Sequence, residues 1–277
     1  MRHRVSVGMA AGFIAVVSVS VGAQWLRYPD PAIPRTKDGR PNLSAPAPKA
    51  PDGKPDLSGV WAVEPSDEMR RRVGVSDPLA ADLQFISKYA LNVLADFKPE
   101  EAPMRPEAAA VFRKRTESLG KDSPMSHCLP GGLPFSSLIA PFKIVQTRQL
   151  IVMMLEDNNP TRQIHLDGRK HPDDPTPAWM GYSTGKWEGD TLVVDTIGFN
   201  DKSWLDASGH PHSEGLRIVE RLRRRDFGHI DTAITIDDAA MYTKPFTISL
   251  THRLLPDTDI LEAVCAENEK DRAHLDR

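Results

Sequence analysis

From Phe142 onward the chain alternates hydrophobic and polar residues in short runs, the period of a half-buried strand. The runs Lys143–Leu155, Gln163–Leu166, Trp179–Trp187, Thr191–Phe199, Leu216–Arg223, His229–Ile236, Thr247–Leu254 and Ile260–Glu267 are predicted strands, and Gly59-Val60-Trp61 opens the first. Glu188-Gly189-Asp190 and Asp226-Phe227-Gly228 have turn chemistry. Strand after strand with short links predicts a mainly β fold, an antiparallel meander closed as a barrel or curled as a sandwich. The period changes between Glu64 and Asp122. Asp77 before Pro78 caps a predicted helix carrying Leu79, Leu83, Ile86, Ala90, Val93 and Phe97, and a second helix is predicted from Pro106 to Leu119. These residues form a helical insertion in a single β-rich domain spanning 59–277.

The first 58 residues follow other patterns. A basic start, an apolar run from Val5 to Val21 and the small residues Val21-Gly22-Ala23 predict a signal peptide over residues 1–23, and hence a periplasmic or secreted protein. Nothing after it is predicted to insert stably into a membrane. Residues 24–58 hold eight prolines and are predicted to be an extended or disordered leader. The phrase Asp38-Gly39-Arg40-Pro41-Asn42-Leu43-Ser44 returns there as Asp52-Gly53-Lys54-Pro55-Asp56-Leu57-Ser58. Loss of residues 1–23 removes Arg2 and Arg4 and moves the formal charge from −3 to −5, which gives no electrostatic case for nucleic acid. Cys128 and Cys265, an even pair in an exported chain, are expected to form a disulfide.

Candidate chemistry clusters between Arg162 and Arg221. Asp195 shares a strand face with Val193, Ile197 and Phe199, and Glu220 shares one with Leu216, Ile218 and Leu222. Carboxylates among apolar neighbours are costly unless paired, and their shifted pKa values suit acid–base work. His210-Pro211-His212-Ser213-Glu214 adds two imidazoles, and His165, Asp167 and His171 lie around an Asp-Gly turn. The expected catalytic set is Asp195 and His212 as base and acid, with Glu220 and Asp167 orienting them. Trp179, Trp187, Trp204, His171 and Asn200 are the candidate substrate contacts. A metal site at His210, His212 and Glu214 is the lesser alternative. Gly181-Tyr182-Ser183-Thr184-Gly185 matches the hydrolase elbow pattern, but a turn and a strand follow it where that motif needs a helix. No phosphate-binding loop and no flavin or nicotinamide fingerprint stands out, so no cofactor is expected. The leading expectation is a cofactor-independent lyase, hydratase, isomerase or hydrolase acting on a small organic molecule. The alternative is a non-catalytic barrel that binds an apolar ligand.

Two resemblances bear on this. Gly59-Val60-Trp61 resembles the G-x-W opening of lipocalin-like, or calycin, barrels. That implies a tryptophan packed beneath the barrel floor against a late arginine, for which Arg253 is the analogue. The phrases DGKPDLSGVW (52–61), LDGR (166–169), GKWEGDTLVVDT (185–196) and PHSE (211–214) look like a large family of exported bacterial β-rich proteins. The second resemblance implies export and a β-rich body and carries no reaction.

Overall fold

The computed structural model describes residues 29–64 and 86–267. The expected signal peptide and the Asp77–Leu83 start of the first expected helix lie outside them. Nine strands close into a barrel in chain order. They are β1 (Gly59–Val63), β2 (Phe142–Gln146), β3 (Leu150–Leu155), β4 (Thr161–His165), β5 (Tyr182–Glu188), β6 (Thr191–Ile197), β7 (Arg217–Arg224), β8 (His229–Asp237) and β9 (Phe246–Leu254). The ring closes where β9 meets β1, pairing Leu254 with Trp61 and His252 with Val63. Neighbours run antiparallel except β4 and β5, a parallel pair in register at Ile164↔Ser183 and His165↔Thr184. The connection between those two strands must therefore return from one end of the barrel to the other. It does so over the outer surface, where His171 Nε2 lies 3.0 Å from the Asp195 carbonyl oxygen.

The alternation has its expected outcome: inward positions carry the core. Phe142, Ile144, Ile151, Met153, Ile164, Leu192, Val194, Ile218, Leu222, Ile230, Ile234, Ile236 and Ile248 are all buried in one cluster. Two predicted strands differ. Lys143–Leu155 is broken by a turn in which Thr147 N–H donates to the Leu150 carbonyl, giving β2 and β3. Ile260–Glu267 forms no strand; it is loop ending in a 3₁₀ turn at Cys265–Glu267. It is tied down by the Cys128–Cys265 disulfide and by Leu261 and Ala263 N–H groups donating to Glu156 and Asn159, rather than by a ladder.

Trp61 seals one end, the floor. It is fully buried, its indole N–H donates to the Leu57 carbonyl at 2.9 Å, and the Arg224 guanidinium stacks 4.8 Å from its ring centroid. The floor arginine is thus Arg224 and not Arg253. Glu220, Leu222 and Arg224 share the inward face of β7, whereas Arg253 alternates outward between the buried His252 and Leu254. Arg224 also donates to the Asp56 and Phe227 carbonyls, and burial lowers its pKa to about 10.

The described part of the leader, residues 29–58, packs against this floor. Each repeated phrase makes the same turn: Gly39 and Gly53 sit at φ +79° and +80°, and bridges join Arg35 to Pro41 and Lys49 to Pro55. Left-handed backbone at the fourth turn position, where Gly39 N–H donates to the Thr36 carbonyl and Gly53 N–H to the Ala50 carbonyl, is why glycine stands in both copies. Phe227 N–H and Gly228 N–H donate to the Ala45 and Leu43 carbonyls, which ties the leader to the β7–β8 turn.

The opposite end is capped by the long β6–β7 connection and short helices. α1 (Lys88–Leu91) is capped by Ser87, whose own N–H donates to Leu138. α2 (Pro106–Glu117) starts at a first-turn proline as predicted, and α3 (Phe135–Ile139) lies against β1. Among the described residues no helix is long and apolar enough to cross a membrane.

Candidate functional site

Four polar side chains stand together on the inward faces of β4 to β7. Arg162, 2% exposed, donates from Nε to Ser183 Oγ at 3.0 Å and from Nη2 to Thr196 Oγ1 at 2.8 Å and to Glu220 Oε2. Ser183 and Thr196 are bonded to each other at 3.0 Å. A guanidinium and a carboxylate removed from water need this pairing, because either alone would cost several kcal/mol. Two groups remain under-used. Arg162 Nη1 meets only the Met153 sulfur, at 3.9 Å. Among the described residues Glu220 Oε1 has no hydrogen-bond partner, while Glu220 keeps 7% of its side chain open. Among the described residues His252 Nε2 is the sealed and unpaired side-chain atom. Glu220 points inward at mid-strand in a closed barrel.

His252 is a second inward polar group, nearer the floor. Thr232 Oγ1 lies 3.1 Å from Nδ1, and the Phe142 ring meets the imidazole edge-on at 5.0 Å. Burial drives its pKa down to about 4, so the ring is neutral at ordinary pH.

The cap holds a different set. His212, 3% exposed, places Nδ1 3.0 Å from the Ser213 carbonyl and Nε2 2.7 Å from Ser203 Oγ. A carbonyl only accepts, so Nδ1 carries the proton and Nε2 accepts from the Ser203 hydroxyl. Burial lowers the His212 pKa and keeps that neutral form. Asp238 fixes the backbone beside it, accepting from Ser213 N–H at 2.6 Å and Ser213 Oγ at 2.9 Å. His210 is separate: Nδ1 bonds Asp206 at 2.6 Å, and the ring stacks on Phe112 at 4.3 Å. Asp206 also accepts from the N–H groups of Val93, Gly209 and His210 and so knots the cap together.

The structure does not bring the expected catalytic set together. Asp195 lies on the outer face of β6, bidentate to Arg217 at 2.8 and 2.6 Å, because Leu192, Val194 and Thr196 turn inward instead. Partial burial pulls its pKa up, but the Arg217 pair outweighs this and leaves it below the usual range. Asp167 is paired with Arg169, which lowers its pKa to about 2. Glu220 is within the barrel and His212 within the cap. The outer surface gathers Asp167, His171 and Asp195 with His165 and Tyr182, whose rings lie 5.3 Å apart. The tryptophans form no common wall. Trp187 is at the floor end of β5, half-buried Trp179 is beside the Ala178–Phe199 bridge, and Trp204 is buried under Arg115 at 4.8 Å. Asn200 accepts from Lys202 N–H in a loop. Glu214 is exposed while His210 and His212 are buried, and among the described residues no group of three or more such side chains could hold a metal ion.

Arg162, Ser203 and Asp206 were not singled out by sequence reasoning. Arg162 left one signal, its place two residues before Ile164 on an alternating run; Ser203 and Asp206 lie in a loop, where no periodicity marks burial. Comparison with protein-family models, with curated proteins and with solved structures returns no match.

Proposed function

We propose that this is an exported lipocalin-like binding protein that holds a small, largely apolar molecule inside the barrel, its one hydrogen-bond donor on Glu220. The observation that carries the reading is that Glu220 Oε1 has no hydrogen-bond partner among the described residues, although its side chain points into a closed barrel whose inward faces also carry Ile218, Leu222, Ile234 and Ile248. A free carboxylate oxygen selects for an N–H or O–H donor, and the aliphatic surroundings favour an apolar remainder. The disulfide, together with the resemblance of the sequence phrases to exported β-rich proteins, supports a place outside the cytoplasm.

N-phenyl-1-naphthylamine, apolar with a single N–H, is a suitable probe. Binding with enhanced fluorescence is expected, reduced tenfold or more by Ile234→Trp, which fills the barrel beside Glu220 from its cross-strand partner position on β8. Absence of binding tighter than about 1 mM would count against the reading.

A further inference from the structure

Most buried polar groups of the cap serve its architecture. Asp206 and Asp238 accept from backbone N–H groups, and Tyr242 OH donates to the Pro211 carbonyl. Ser203 and His212 differ. The Ser203 hydroxyl has one hydrogen bond, to a ring nitrogen whose opposite nitrogen is pinned on a backbone carbonyl. The tautomer is thereby set so that Nε2 is ready to receive the serine proton. This is the nucleophile, base and orienting group of an acyl-transfer site, with a carbonyl in the place of the third side chain.

The surroundings define a substrate. Phe199 meets His212 edge-on at 6.2 Å, and among the described residues no charged side chain hydrogen-bonds either Ser203 or His212. The hydroxyl is covered by Gly132, where any Cβ would collide with Ser203 Oγ and Cβ. Ser203 is fully buried, but this cover is main chain without a side chain. Entry of a small neutral molecule at this point requires the Gly131–Gly132 segment to move aside.

We propose that Ser203 is a nucleophile, with His212 its general base, for the hydrolysis of small neutral carboxylic esters. The Ser203 Oγ–acyl carbon bond forms as the hydroxyl proton passes to His212 Nε2. The bond to the leaving oxygen breaks, and that oxygen takes the proton from Nε2 as the alcohol departs. Water then attacks the acyl-serine by the same path, releasing the acid and restoring Ser203. Asp238 is a positioning residue that acts through Ser213.

Diisopropyl fluorophosphate tests this on the full mature protein. Nucleophilic Ser203 displaces fluoride, and peptide mapping locates the added phosphoryl group. The expected result is labelling at Ser203, lost in Ser203→Ala, slowed about 100-fold or more in His212→Gln, and unchanged in Ser249→Ala, an exposed serine on β9. Asp238→Asn is expected to slow labelling while circular dichroism and the thermal midpoint stay near wild type. Wild-type protein that remains unlabelled at Ser203, or His212→Gln protein that labels at the wild-type rate, overturns the proposal. Ser203→Ala is expected to bind N-phenyl-1-naphthylamine normally, so this outcome is independent of the barrel reading.

Discussion

Acid should weaken this fold through His252 before it reaches the carboxylates. The imidazole is fully enclosed, and burial takes its pKa from the ordinary 6.5 to about 4. Between those values the unfolded chain binds a proton that the folded one refuses, so stability rises with pH across the window. The contribution is intact above pH 6.5, falls by about 2 kcal/mol at pH 5 and by about 3 kcal/mol near pH 4, then levels off, at 1.36 kcal/mol for each unit of pKa difference. His212 shifts in the same direction and adds to the wild-type slope. It remains in a His252→Phe variant, so subtracting the two proteins isolates His252. The assay is urea unfolding at pH 7.5, 6.5, 5.5 and 4.5, read by tryptophan fluorescence and far-ultraviolet dichroism. The variant should lose less stability than wild type at every step below 6.5. Parallel curves for the two proteins would refute the reasoning.

Three further outcomes follow from the geometry. Glu220→Gln leaves Arg162 as an uncompensated buried charge and should cost about 3–5 kcal/mol in urea unfolding, whereas Arg162→Met with Glu220→Leu should recover most of that loss. Reduction of the Cys128–Cys265 bond, or its replacement by two alanines, releases a loop of 137 residues and should cost roughly 3–5 kcal/mol, read as a fall in thermal midpoint. Arg224→Ala removes the cation over Trp61 and leaves the Asp56 and Phe227 carbonyls without their donor. A loss of about 2–4 kcal/mol and a shifted Trp emission are expected.

Much of the barrel could be read from the chain because alternation reports which residues share a face. It does not report which face turns inward when both carry apolar residues. On β6, Val193 and Ile197 flank Asp195, while Leu192 and Val194 flank Thr196; the inward side is the one with the polar Thr196, which Arg162 satisfies. Composition alone left that choice open, and Asp195 fell on the other side. Glu220 had less ambiguous neighbours, since Arg217, Arg221 and Arg223 occupy the alternate positions and cannot all be buried. Following that face one step further reaches Arg224, the floor arginine. Proline content suggested an unpacked leader, but its turns place backbone carbonyls where Arg224 and the β7–β8 turn need them. The cap was hardest to foresee. Ser203 with His212, and Asp206 with His210, are paired by a connection whose path follows from packing rather than from period.

Alternating directions around a ring require an even membership, and this ring has nine. At least one seam must therefore break the alternation, and β4/β5 is where it does so, joined in register at only two positions. The parallel pair is a requirement of arithmetic rather than a choice of local chemistry. It concentrates the least backbone zippering at one site on the circumference, against eight registered positions between β8 and β9. Amide protons of Ile164 to His165 and Ser183 to Thr184 should exchange ahead of those elsewhere on the wall, marking where the cylinder first parts.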